Sequence, residues 1–271
     1  MSTIDSADDR KNTENRVDDL SNKTILVTGA SKGIGAAIVK SLTAAKASVV
    51  AHYCSDFAGI QAVLASAENG NIKSLQADFR NMEEVESLWQ RAVDWRGGID
   101  VLINNAATIR FTDGIDDSDS VWNETWEETL AVNVTAPCSL MRRAVPHYLE
   151  RGGGIFISIS SWVAHRGPGT PALITYSASK AALMNATKTI ARHYAKDNIL
   201  AYSIAPGVVR TRMSEKFAAA AGGEEVVTAT LAMNEWIPPS DLANLATFLS
   251  TGKCRHLTGA TLDVNGASYL R

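Results

Sequence analysis

Short, nearly continuous apolar runs alternate along the chain with longer stretches whose apolar positions recur every three or four residues. The first pattern predicts strands covered on both faces, and the second predicts amphipathic helices. Strands are predicted at TILVTG (24–29), SVVAHY (48–53), IKSLQAD (72–78), DVLINNA (100–106), GGGIFISISS (152–161), NILAYSIAP (198–206) and GATLDVNG (259–266). Helices are predicted between them at 35–46, 59–68, 82–95, 126–149, 176–195 and 241–250. Pro137 and Pro146 must bend or end the fourth of these, because proline lacks the N–H that a helix interior uses. Strands alternating with helices predict an α/β fold: one doubly wound parallel sheet of about seven strands, with helices on both faces and ligands at the strands' carboxyl ends.

A chain of 271 residues, 45% hydrophobic, can bury a substantial core. Residues 1–20 differ: six acids, three bases and isolated apolar side chains cannot offset the entropy of ordering. A disordered N-terminal tail over 1–20 and a single domain over 21–271 are therefore expected. The tail has no apolar core of a signal peptide, and no run of about 18 apolar residues occurs, so a soluble, cytoplasmic protein without membrane contact is expected. The net charge of -3 offers no basic footprint for nucleic acid. Cys54, Cys138 and Cys254 are too scattered for a disulfide framework or metal site, and packing roles are expected. The five histidines also lack ligand spacing, so no metal is predicted; most should lie on the surface or on helices, with His165 at the substrate mouth.

TGASKGIG (28–35) stands where the first strand gives way to the first helix. Gly29 can take a backbone conformation barred to other residues, Gly33 lets a ligand reach the main chain, and Gly35 lets the helix pack tightly on the sheet. The unpaired N–H groups and positive dipole end of the new helix form a site for a pyrophosphate; for the glycines alone, a plain turn is the alternative. In YSASK, Tyr176 and Lys180 are four residues apart on one helix face. A free phenol, with pKa about 10, is a poor base at neutral pH, and a nearby ammonium favours phenolate. Such a phenol can give a proton to a carbonyl oxygen or take one from an alcohol. ISISS offers Ser158, Ser160 and Ser161 at the end of the fifth strand.

TGASKGIG, NNA (104–106), the Ser161/Tyr176/Lys180 set, PGVVRT (206–211) and LTGATLDVNG (257–266), in that order, resemble the short-chain dehydrogenase/reductase family. The bacterial 3-oxoacyl-acyl-carrier-protein reductases look closest, and the resemblance covers about residues 21–271. It implies a Rossmann-type fold and hydride exchange between a nicotinamide dinucleotide and a small-molecule secondary alcohol or ketone. By the same resemblance Tyr176 is the general acid/base, Lys180 binds the nicotinamide ribose, Ser161 hydrogen-bonds the reacting oxygen, and Asn133 holds a water linked to the lysine. The gap from Ser161 to Tyr176 is slightly longer than relatives show, so Ser160 stays as a fallback, and a buried Asn satisfying a kinked helix is the alternative for Asn133.

The implied cofactor contacts are Gly29, Ser31, Lys32, Gly33, Ile34 and Gly35 at the turn, and Asp78 and Phe79 at the adenine, where a turn-forming Asp is the alternative. Asn105 and Ala106 would line the channel, with Ala107 replacing the glycine of the family's NNAG. Pro206, Gly207, Val209 and Thr211 would fold over the carboxamide. The acid that selects NAD falls at Tyr53, which is no carboxylate, whereas Lys32 and Ser55 suit a 2′-phosphate; Asp56 argues the other way. NADP(H) is favoured over NAD(H).

Specificity should come from segments 108–124, 162–175 and 212–237, the last as a mobile lid. Trp122, Trp162, His165, Leu173, Met213 and Trp236 are candidates for an apolar pocket holding a ring or acyl chain, each also fit for ordinary packing. Acidic 113–119 disfavours a long anionic carrier. Relatives pair the helices matching 126–149 and 176–195 across subunits, which implies a homotetramer, with a homodimer as the alternative. A non-catalytic dinucleotide sensor, and a lyase or epimerase, are the competing functions.

Overall fold

The computed structural model describes residues 19–67 and 71–271. Seven parallel strands form one sheet in the order β3-β2-β1-β4-β5-β6-β7. They are β1 (Thr24–Val27), β2 (Ser48–Tyr53), β3 (Ile72–Gln76), β4 (Val101–Asn104), β5 (Gly154–Ile159), β6 (Ile199–Pro206) and β7 (Thr261–Val264). The chain winds outward from β1 to β3, then crosses back to β4 and winds the other way. The carboxyl ends of β1 and β4 therefore flank a crevice, the place where such sheets bind ligands.

Strand residues alternate between two buried layers. Ile25, Val27, Val49, Ile103, Ile157 and Tyr202 face α1 (Gly33–Ala44) and α10 (Pro239–Ser250). Leu26, Val50, Leu102, Phe156 and Ala201 face α3 (Met82–Arg96), α5 (Ala136–Glu150) and α7 (Ile174–Tyr194). Burial on both sides explains why these strands read as unbroken apolar runs. Helix α2 (Phe57–Ser66) joins β2 to β3.

Several expectations need correction. Most of the predicted tail lies outside the described residues, but Leu20 is 1% exposed and donates its N–H to the Ala45 carbonyl at 2.8 Å, so the folded body includes it. The predicted 126–149 helix starts earlier, as α4 (Asp119–Leu130), where Ser118 caps it by accepting the Val121 N–H. Five residues of wider π-type helix (Ala131–Thr135) follow, then α5. The break comes ahead of Pro137, which occupies the first turn of α5, and Pro146 lies inside α5 without ending it. The 162–175 segment, where no element was predicted, is largely helical: α6 (Val163–Arg166), a 3-10 turn at Pro171–Leu173, then the start of α7. Cys54 and Cys254 are exposed, so neither is a packing residue.

Candidate active site

The turn after β1 is built by Gly29, at φ +67°, and Gly33, at φ +55°. A Cβ on Gly29 would stand 2.8 Å from the Ala106 Cα, and one on Gly35 would stand 2.1 Å from the Gly29 carbonyl oxygen. Side chains are thus excluded at both positions by the fold's own main chain. Gly33 is different, since its added Cβ would meet the Thr211 methyl at 3.2 Å. Asn105 straps the turn, donating from Nδ2 to the carbonyls of Thr28 (2.8 Å) and Gly29 (3.0 Å). The N–H groups of Asn105 and Ala106 donate to the Thr28 hydroxyl. Helix α1 begins without a side-chain cap at Lys32, and among the described residues none accepts from the N–H groups of residues 31–35. That row of free donors at a helix N-terminus, with the glycines holding it open, fits the diphosphate of a dinucleotide.

At the adenosine end, Tyr53 is a buried ring and Ser55 is exposed. Asp56 caps α2 by accepting the Gly59 N–H at 2.9 Å and lies 3.5 Å from the Lys32 ammonium. The cap first, and Lys32 after it, hold its carboxyl below the usual range. Asp78 is held bidentate by Arg80, its N–H and carbonyl are taken by Glu84 and Asn81, and the Phe79 ring is buried.

The loop after β5 and helix α7 bring the reacting groups together. The Ser161 hydroxyl accepts the Val163 N–H at 3.4 Å and lies close enough to the Tyr176 phenol to favour its ionised form. Lys180, 2% exposed, donates from Nζ to the Ile159 carbonyl at 2.8 Å and sits 5.7 Å from the centre of the Tyr176 ring. Ser160 turns away to donate to the Lys180 carbonyl, and Ser158 meets Thr187 beneath α7. Burial pushes the Tyr176 phenol up to about 12, with Ser161 pulling the other way. Burial also brings the lysine down to about 8.

Asn133 projects from the π segment and is fully buried. Its Oδ1 accepts the Thr108 N–H at 2.8 Å, and its Nδ2 donates to the Thr108 carbonyl and the Ser179 hydroxyl, both at 3.0 Å. It fastens the loop after β4 to α7 beside the reacting groups.

Beyond β6, Pro206 closes the strand and accepts the Trp162 N–H at 2.9 Å. Gly207 donates to Val264, Val209 is buried, and Thr211 caps α8 (Arg212–Ala220), which begins the expected lid. Helix α9 (Glu224–Thr228) completes it. The 212–237 segment has its own small core of Ala218, Val227, Leu231 and Trp236, with Trp162 and Phe217 packed against it. Trp236 is 4% exposed and donates to Thr228, so it supports this segment from inside. His165 turns toward Asp263 and Tyr269. Met213 is half-buried on α8 and Leu173 is buried ahead of α7. Two rings not singled out in the sequence, Phe111 and Phe217, meet at 6.4 Å between the loop after β4 and the lid. Among the described residues no cluster of His, Cys, Asp and Glu could hold a metal.

Fold and site together define an α/β oxidoreductase that works with a nicotinamide dinucleotide. Residues 29–267 match a family model described as enoyl-(acyl carrier protein) reductase. A 3beta-hydroxysteroid dehydrogenase of Eggerthella lenta is 36% identical, over 93% of this chain and 96% of its own length. A 3-oxoacyl-[acyl-carrier-protein] reductase of Staphylococcus aureus is 28% identical, over 92% and 98%. The crystal structure of a dehydrogenase/reductase from Sinorhizobium meliloti superposes with a TM-score of 0.83 at 32% identity, covering 93% of this chain and 97% of that one. The chain belongs to the short-chain dehydrogenase/reductase family.

Proposed function

We propose that this protein interconverts a bulky apolar ketone and its secondary alcohol, using NADP(H) in preference to NAD(H). The observation that carries the reading is the buried Lys180 ammonium 5.7 Å from the centre of the Tyr176 ring, with the Ser161 hydroxyl close by. The residues of the 29–35 turn would hold the diphosphate through free N–H groups, and the bound dinucleotide supplies or accepts the hydride. In the reducing direction the Tyr176 hydroxyl gives its proton to the carbonyl oxygen, which Ser161 holds by a hydrogen bond. The phenolate left behind lies near the Lys180 ammonium, which steadies its charge. With an alcohol the proton travels the other way. Lys32 and Ser55 would receive a 2′-phosphate once the Lys32–Asp56 pair opens.

The rings of Trp162, Phe111 and Phe217 favour a substrate with a broad apolar face, and the named activity of the Eggerthella relative supports this. The assembly proposed is a cytoplasmic homotetramer, tested by light scattering. Among the described residues no helix is long and apolar enough to cross a membrane. The catalytic test is absorbance of the reduced nicotinamide over ring ketones, aliphatic ketones and 3-oxoacyl thioesters. Tyr176→Phe should lower turnover by about a hundredfold or more while leaving dinucleotide affinity within about twofold. Undiminished turnover would reject the proton-transfer role, and binding without turnover of any substrate would favour a dinucleotide sensor.

A further inference from the structure

His52 is the penultimate residue of β2 and is 2% exposed. Both ring nitrogens are engaged. Nδ1 stands 3.1 Å from the Gly29 nitrogen, whose N–H it accepts, and Nε2 lies 3.0 Å from the Ala77 carbonyl oxygen. A carbonyl can only accept, so the proton belongs on Nε2, and the Nδ1 lone pair is left for Gly29. Burial, the main cause, holds the imidazole down to about 4, so the neutral ring persists through the physiological range. The ring also stacks on Phe79, centroids 4.3 Å apart and planes within 5°. The His52 carbonyl accepts the Ala30 N–H at 2.7 Å. One residue thus ties the glycine turn to the segment after β3.

These contacts engage the N–H groups of Gly29 and Ala30 and leave those of residues 31–35 free. Gly29 carries the positive φ that reverses the chain, and a glycine there has no side chain to hold it. The peptide joining Thr28 to Gly29 is held at both ends, its carbonyl by the Asn105 amide at 2.8 Å and its N–H by His52, the acceptor without which that buried donor has no partner. We propose that His52 is a positioning residue for dinucleotide binding, holding the Gly29 N–H so that the N–H groups of residues 31–35 converge outward on one anion. The proposal rests on reading the turn as a diphosphate site.

Two isosteric substitutions separate this role from simple support of the core. In His52→Asn the carboxamide oxygen replaces Nδ1 and can still accept from Gly29, while the Ala77 contact is lost. In His52→Gln the amide reaches the Nε2 position and keeps Ala77, while the Gly29 N–H is orphaned. Calorimetric titration with NADP and with ADP should give His52→Asn a Kd within about twofold of wild type and His52→Gln a Kd about tenfold weaker, as expected for one orphaned buried donor. The two variants should lose similar thermal stability, and kcat at saturating dinucleotide should stay near wild type in both.

Equal Kd values for the two variants, whether both unchanged or both weakened, would overturn the positioning role while leaving the diphosphate site intact. A wild-type protein that binds neither NADP nor NAD would overturn the reading of the turn and this inference with it. Nitrogen NMR of the wild-type imidazole does not depend on either variant folding. Nδ1 should be unprotonated and coupled to the Gly29 amide, and a protonated Nδ1 would sink the proposal.

Discussion

Lys180 is a buried ammonium that donates to the Ile159 carbonyl, with its pKa brought from 10.5 to about 8 by burial. In this state the unfolded chain holds the lysine proton more tightly than the folded one. Stability is therefore reduced wherever the folded lysine is charged. The cost is full below pH about 8 and is relieved as pH climbs from about 8 toward 10.5. A shift of this size is worth on the order of 3 kcal/mol. Lys180→Met should accordingly raise the urea midpoint at pH 6, and its advantage over wild type should shrink toward pH 10, while activity is lost. A constant advantage across that range would show that the lysine is not destabilised by its burial. The sequence made Tyr176 and Lys180 legible because they lie one helical turn apart, and the glycines because they are packed into one turn. It could not give the phenol's rise to about 12, which depends on how far the fold shields this half-buried side chain from water. Nor did it mark His52, whose partner Gly29 is 23 residues away and whose strand looks like any other apolar run.

The π segment Ala131–Thr135 works at the scale of the element. Helix α4 and helix α5 would be one continuous rod without it, and the wider turn lets Asn133 leave the ladder and point inward. Nothing local announces such an insertion, since AVNVT is unremarkable helix sequence next to a proline. Its cause is tertiary: Asn133 finds partners 25 residues back at Thr108 and 46 residues ahead at Ser179. Wide helical turns recur at functional sites for this reason. The start of α4 was missed on different grounds, because its acidic first turn has no apolar periodicity and only the Ser118 cap marks it. Strands, by contrast, were legible almost throughout, since two-sided burial leaves a signal in every residue. Asn133→Ala would orphan the Thr108 N–H and remove a donor from the Thr108 carbonyl and the Ser179 hydroxyl, at a cost of about 2–3 kcal/mol in stability, measured by denaturant unfolding. Turnover should fall too, because α7 carries Tyr176 and Ser179 donates to the Tyr176 carbonyl. Lost stability with undiminished turnover would separate the strap from the chemistry.

For the whole molecule, the sheet order places every proposed cofactor contact on one edge, yet the chain elements that meet there differ in how firmly they are held. Strands β1, β2 and β4 are buried and hydrogen-bonded on both sides, whereas α8 and α9 rest on a core of four buried side chains. A dinucleotide lying across the carboxyl edge would bridge the firm part to the loose one through the glycine turn and Thr211, whose methyl lies 3.2 Å from where a Gly33 Cβ would stand. Binding should thus stabilise the fold as a unit, by roughly 2.7 kcal/mol at a ligand concentration of about 100 Kd. For a domain of this size that corresponds to a rise in Tm of roughly 5–10 °C. Which dinucleotide gives the larger rise is decided at Asp56. Its carboxylate is engaged by the α2 cap and by Lys32, so a ribose hydroxyl must compete for it, while a 2′-phosphate gains Lys32 once the 3.5 Å pair opens. At matched concentrations NADP should raise Tm more than NAD, and Lys32→Gln should remove most of the difference. A larger shift with NAD would mean that Asp56 leaves its cap to take the ribose, and would reverse the cofactor preference.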